Sequence, residues 1–224
     1  MAGASPARRV FLTGGTGYLG SRLVPLLLDR GHMVRALVRD RGSCTLPPAC
    51  RLVSGDALDL QSFANHVMDC DTFVQLVGTP KPAPWKGAQF RAVDRRSGLA
   101  SIEAAKQAGI RHFVYVSVAH PAPIMKAYLA VRMECEAVLR NSGILASILR
   151  PWYILGPGHW WPLALVPAYW LCERLPATGD AARRLGLVTA RQMLAALVWA
   201  VEHPPEQVRV IEVPDIRRLE SETS

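Results

Sequence analysis

The chain has 224 residues, half of them hydrophobic and a fifth charged, a balance that suits one packed globular core and excludes a disordered or fibrous chain. Its formal charge of +8 rests on arginines that occur singly or in pairs such as Arg8-Arg9 and Arg95-Arg96, without aromatic-interleaved basic runs, so nucleic acid is not an expected partner. The five cysteines form no CxxC pair and the histidines no HExxH, which argues against a disulfide framework and against a metal site.

The first nine residues are small and polar and do not read as a signal peptide. Residues 9–13 are a short apolar run that reads as a buried first strand, ending in Thr13-Gly14-Gly15-Thr16-Gly17-Tyr18-Leu19-Gly20. Leu19, Leu23, Leu26 and Leu27 then recur at helical spacing until Gly31, with Pro25 inside that helix expected to kink it. Residues 32–39 and 51–54 read as the second and third strands, and 72–77 as the fourth, closed by Gly78. Pro80, Pro82 and Pro84 make an irregular stretch before a helix predicted over 92–108. A fifth strand over 112–117, a helix over 125–140 and a sixth strand over 145–149 follow. Alternation of this kind specifies an α/β fold, a doubly wound parallel sheet of the Rossmann type with helices on both faces.

Beyond Arg150 the alternation loosens. A helix over 190–202 and a strand over 208–213 finish the chain, and the tail is too short for an independent domain. We therefore expect a single domain over 1–224, with 151–224 as a small substrate or lid region folded over the open end of the sheet. The apolar stretch 160–172 is too short to span a bilayer and is broken by Pro162 and Pro167. Its Trp160-Trp161-Pro162-Leu163-Ala164-Leu165 segment is expected to pack as a lid or to meet a membrane surface or protein partner. A cytoplasmic protein is expected, and nothing in the chain sets an oligomeric state.

Gly14, Gly17 and Gly20 stand as GxxGxxG between a strand and a helix. The first permits the turn, the second lets a pyrophosphate reach the backbone, and the third packs helix on strand. The helix start supplies amide donors and a favourable dipole. The end of the second strand, Val38-Arg39-Asp40, chooses the dinucleotide. Val38 cannot bond a ribose hydroxyl, whereas Arg39 can fork onto a 2′-phosphate, so NADP(H) is expected over NAD(H) despite the nearby Asp40.

The glycine loop, Ser54-Gly55-Asp56, Phe113-Val114-Tyr115-Val116-Ser117, Tyr128-x-x-x-Arg132-x-x-x-Glu136 and Leu149-Arg150-Pro151 occur in order. In these the chain resembles the short-chain dehydrogenase/reductase superfamily, most closely its atypical, epimerase/dehydratase-like and NmrA-like members. The resemblance implies that Thr16, Tyr18 and Leu19 belong to the dinucleotide loop and that Asp56-Ala57 meets the adenine. It also implies that Leu76-Val77-Gly78 underlies the ribose and that Arg150-Pro151 passes the nicotinamide. Active relatives pair a strand-end serine with YxxxK. Here Ser117 and Tyr128 match, but the lysine position holds Arg132. The implied activities are reduction of a small carbonyl or quinone-like compound by Ser117, Tyr128 and Arg132, a non-catalytic NADP(H) sensor or accessory subunit, or a nucleotide-sugar epimerase or dehydratase.

Overall fold

Val10, Phe11, Leu12, Phe73, Val74, Phe113 and Val114 expose no surface at all. Strands buried on both faces need helices on both sides of a parallel sheet. The computed structural model describes residues 6–42, 45–157 and 184–223 and has that arrangement. The strands are β1 (Arg9–Thr13), β2 (Met33–Val38), β3 (Arg51–Ser54), β4 (Thr72–Gln75), β5 (His112–Val116) and β6 (Leu145–Arg150). Two short strands, β7 (Tyr153–Leu155) and β8 (Leu187–Thr189), precede β9 (Arg209–Glu212). Seven strands form one sheet in the order β3-β2-β1-β4-β5-β6-β9, every neighbour parallel, while β7 and β8 pair separately.

One face is covered by α1 (Gly20–Asp29), α6 (Ala190–Glu202) and α7 (Val213–Thr223), whose Leu23, Leu27, Leu197, Val201 and Ile216 share a core. The other is covered by α2 (Ala64–Val67), α4 (Arg96–Gln107) and α5 (Lys126–Arg140), through Val67, Ile102, Ala105, Cys135 and Leu139. The order reverses between β1 and β4, with Thr13 beside Gln75. Such a reversal opens a crevice at the carboxyl ends of the strands, where open α/β sheets bind ligands.

Several expected boundaries are corrected. β4 ends at Gln75 rather than residue 77: after a last bond from Leu76 N–H to the Thr13 carbonyl, the chain turns so that Gln75 Nε2 donates to the Val77 carbonyl. The helix expected over 92–108 begins earlier, with α3 (Gly87–Gln89) passing through a π-helical stretch (Phe90–Arg95) into α4. Helix α1 continues as one element through Pro25. In its described residues the tail expected as a small substrate or lid region supplies the edge strand β9 and the flanking helices α6 and α7. That last helix went unread in the sequence. Residues Trp160 to Leu165 lie outside the described residues.

Candidate functional site

The crevice at the ends of β1, β2 and β4 is a cleft of about 350 Å³. Gly14, Thr16, Gly17, Arg39, Asp56, Ala57, Leu76, Val77 and Gly78 all line it. Gly14 adopts φ +79°, and a Cβ there would lie 2.9 Å from the backbone of Leu76, so β1 and the exit of β4 close on each other only through glycine. The turn is held by Gly17 N–H donating to the Gly14 carbonyl at 3.0 Å. A Cβ on Gly20 would overlap that same carbonyl, so Gly20 serves helix packing and does not line the cleft. A Cβ on Gly17 would meet only Gly14 O, at 3.1 Å, which leaves the space in front of it open for a phosphate. The residues present thus fit the pyrophosphate of a dinucleotide.

Tyr18 and Leu19 stand behind the loop rather than in the cleft. The Arg22 guanidinium lies 4.3 Å from the centre of the Tyr18 ring, the Tyr18 hydroxyl abuts Gly156, and Leu19 packs on the core. Elsewhere in the lining, Asp56 accepts Leu58 N–H on Oδ1 at 3.0 Å, and its own N–H donates to Ser62 Oγ. Asp56 therefore shapes its turn with one carboxylate oxygen and keeps Oδ2 for a ligand. Asp40 Oδ1 accepts Gly42 N–H at 2.9 Å, and Asp40 does not line the cleft.

The expected catalytic residues belong to two buried polar clusters beside this cleft. Asp94, fully buried in the π-helical stretch, accepts from Arg132 Nη2 at 2.6 Å and from both the backbone and the hydroxyl of Thr79. Arg132 Nη1 donates to the Val116 carbonyl at 3.0 Å and to Tyr115 Oη at 3.3 Å. Burial opposes its charge, but Tyr128, Tyr115 and Asp94 more than offset that and hold its pKa above the ordinary arginine value. The guanidinium sits over the Tyr128 ring, 5.2 Å from its centre, and Phe90 packs on the same ring. Its Nη2 lies directly behind Gly78, where a Cβ would come within 2.5 Å of it.

The second cluster centres on Glu136, also buried. Ser117 Oγ donates to Glu136 Oε1 at 2.6 Å, and Arg150 grips both carboxylate oxygens while reaching Glu212 with Nη1. Burial pushes the Glu136 pKa up, but the bonds from Arg150 and Ser117 outweigh it and keep the carboxylate below its ordinary value. Arg150 and Pro151 do not line the cleft. The structure thus brings the predicted glycine-loop, Asp56-Ala57 and Leu76 to Gly78 residues together in one cleft, sets Ser117, Arg132 and Arg150 in buried ion-pair networks beside it, and stacks Tyr128 against Arg132 and Phe90. Asp94 and Glu136 were not assigned roles from the sequence. Asp94 shares a helical face with Phe90, Ser97 and Ser101, and a lone acid on such a face was the available signal.

Among known proteins, the sequence pattern of the NAD(P)H-binding family matches residues 14–157. The chain is 29% identical to the ceramide reductase of Caulobacter vibrioides over 96% of its own length and 67% of that protein. It is 34% identical to the 3 beta-hydroxysteroid dehydrogenase/Delta 5-->4-isomerase of Mycobacterium tuberculosis, spanning 49% of this chain and 31% of that protein. Among solved structures, the Bordetella bronchiseptica enzyme WbmH, crystallised with NAD+, superposes with a TM-score of 0.69 at 20% identity, covering 96% of this chain and 79% of that one.

Proposed function

The chain belongs to the NAD(P)H-binding family, and from that premise we propose that it is an NADP(H)-dependent oxidoreductase that reduces a carbonyl compound. The observation that carries the choice of cofactor is the rim of the cleft. Arg39 lines it, while the nearby acid, Asp40, is turned into its own loop onto Gly42. A guanidinium suits a 2′-phosphate, and a carboxylate that does not line the cleft does not serve a ribose hydroxyl. In this reading Gly14, Thr16 and Gly17 hold the pyrophosphate, Asp56 and Ala57 the adenine, and Leu76 to Gly78 the ribose.

When bound, the reduced dinucleotide supplies a hydride. Tyr128, half-buried with its ring on Phe90 and Arg132, donates the proton that the carbonyl oxygen takes up. Arg132 steadies the developing phenolate from the face of the ring. Ser117, whose own proton lies toward Glu136, accepts from the product hydroxyl. The names of two relatives, a ceramide reductase and a steroid dehydrogenase, put apolar ketones beside aldehydes and quinones in the substrate panel. The apolar segment from Trp160 to Leu165 is kept as the lid or surface contact of this proposal. Buried thiols at Cys70 and Cys135 suit a reducing cytoplasm.

The test is a fluorescence titration with NADPH and NADH, followed by single-turnover NADPH oxidation across the panel. NADPH binds more tightly, and Arg39→Ala removes about 1.5–3 kcal/mol of that preference. Tyr128→Phe abolishes turnover and leaves NADPH affinity nearly unchanged. Equal affinity for both cofactors overturns the cofactor choice, and undiminished turnover in Tyr128→Phe overturns the tyrosine mechanism. A second reading, a non-catalytic NADP(H) sensor or accessory subunit, is favoured by the commitment of the Arg132 guanidinium to Asp94, Val116 and Tyr115. It predicts tight NADPH binding with no turnover on any carbonyl.

A further inference from the structure

Residues 72–93 and 104–133 contain no aspartate or glutamate, yet they hold all four lysines of the chain. Three of these, Lys81, Lys86 and Lys126, lie in two segments that pack together beside the cleft. A Cβ on Gly87 would lie 3.5 Å from Ala127 Cβ and 3.9 Å from Arg91 Nη1, and the rings of Phe90 and Tyr128 meet at 4.8 Å. The proline-rich loop after β4 and the start of α5 are therefore one continuous surface, rooted in the cleft through Pro80. On these two segments Trp85 is 83% exposed and Ile124 is 50% exposed. The loop is not a loose excursion, because Lys86 Nζ donates to the carbonyls of Pro80 and Lys81 at 2.9 and 3.0 Å. Lys81, Arg91 and Lys126 are exposed and make no ion pair among the described residues.

We propose that this surface seats on an anionic lipid bilayer, with Trp85 and Ile124 entering the headgroup region and Lys81, Arg91 and Lys126 meeting lipid phosphates. An exposed indole favours the membrane–water interface, where its apolar body and N–H are both accommodated. Lysine and arginine stems lie along the apolar boundary while their charges reach the phosphates. The lack of any acid in either segment makes the complementarity one-sided, and the net charge of +8 adds long-range attraction to a negative surface. An acidic protein face would satisfy the same cations, but a tryptophan at a protein interface is seated in a fitted pocket, which a fluid bilayer does not need. No helix among the described residues is long and apolar enough to cross a membrane, so the contact is peripheral. The proposal goes beyond the oxidoreductase reading and does not depend on it, since binding is measured without cofactor or turnover.

The full chain is co-sedimented with vesicles of phosphatidylcholine, with and without phosphatidylglycerol, over a range of salt. It partitions onto the phosphatidylglycerol vesicles and releases as salt rises. Loss of each lysine costs roughly fivefold in partitioning, so Lys81→Glu combined with Lys126→Glu lowers it by roughly 25-fold or more. Trp85→Ala lowers it severalfold on the same vesicles at every salt concentration. All variants keep the parent's thermal unfolding. Absence of the protein from the phosphatidylglycerol pellet overturns the proposal, as does a pellet unchanged in both variants, which would place the contact elsewhere. Retention by soluble polyglutamate without any vesicle binding also overturns it, in favour of an acidic protein face.

Discussion

At Arg132 the guanidinium meets Asp94, the Val116 carbonyl and the Tyr115 hydroxyl from two different nitrogens. A lysine ammonium is a point charge that cannot span that set of partners. The YxxxR pattern alone suggested that lysine would be the better residue here, but the fully buried carboxylate of Asp94 changes that expectation. Arg132→Lys is expected to destabilise the fold by about 2 kcal/mol, through imperfectly paired buried groups. Arg132→Met is expected to cost about 3–5 kcal/mol by stranding Asp94 without a partner. Urea unfolding of the two variants beside Asp94→Asn checks this. Stability equal to the parent in Arg132→Lys would show that the pair does not hold Gly78 and Thr79 in place. The pair also explains why Gly78 has no room for a side chain, since the guanidinium lies against its back.

The element that shapes the cleft is the β1–α1 turn, and its glycines can be separated by what lies in front of each. Gly17→Val meets only the Gly14 carbonyl, at 3.1 Å from its Cβ, and puts its branches in the space before the turn, so the fold persists with a small local shift while the phosphate loses its approach. NADPH affinity should fall by roughly a hundredfold, the worth of two charge-assisted bonds, with the far-UV spectrum unchanged. Normal NADPH binding by that variant would remove the dinucleotide from this loop. This turn was fully legible in the sequence, as were β1, β3 and α6, because strand burial and glycine spacing are local signals. The strands β7 and β8 were not, since three residues are too few to show a period. The π-helical stretch was hidden for another reason: it is set by Phe90 and Asp94 turning inward against Tyr128 and Arg132, which are far away in the chain. Helix α7 could have been found, since Pro214 stands at its start with Asp215 in the first turn. The residues that line the cleft were readable from local motifs, whereas the ion pairs around Arg132 and Glu136 depend on which helices the sheet brings together.

Across the whole molecule, the buried histidines and Glu136 set the response to acid. His112 sits between β5 and β6 with Nε2 3.1 Å from Ser147 Oγ, and burial pushes its pKa down to about 4, with Arg8 and Arg209 adding to the shift and Asp71 opposing it. His32, which accepts Arg8 N–H on Nδ1, is also lowered by burial, against the opposing pull of Glu202. A histidine whose folded pKa is depressed gives stability that is complete above its unfolded value of about 6.5. As pH falls below that value the unfolded chain takes up the proton first, so the stability is lost progressively down to the folded pKa. The depressed carboxylate of Glu136 acts lower, its contribution being lost as pH falls below the ordinary glutamate range. Stability should therefore be flat above about pH 7 and decline between about 6.5 and 4, with each depressed histidine contributing about 1.4 kcal/mol per pH unit at most. Urea unfolding at half-unit steps measures the slope, and His112→Gln, which keeps a hydrogen-bonding group for Ser147 without a titrating ring, should reduce it by up to that amount. A parent curve that stays level from pH 6.5 down to 5 would mean that His112 is hydrated rather than sealed between the strands. An unchanged slope in His112→Gln would assign the acid response to His32 instead.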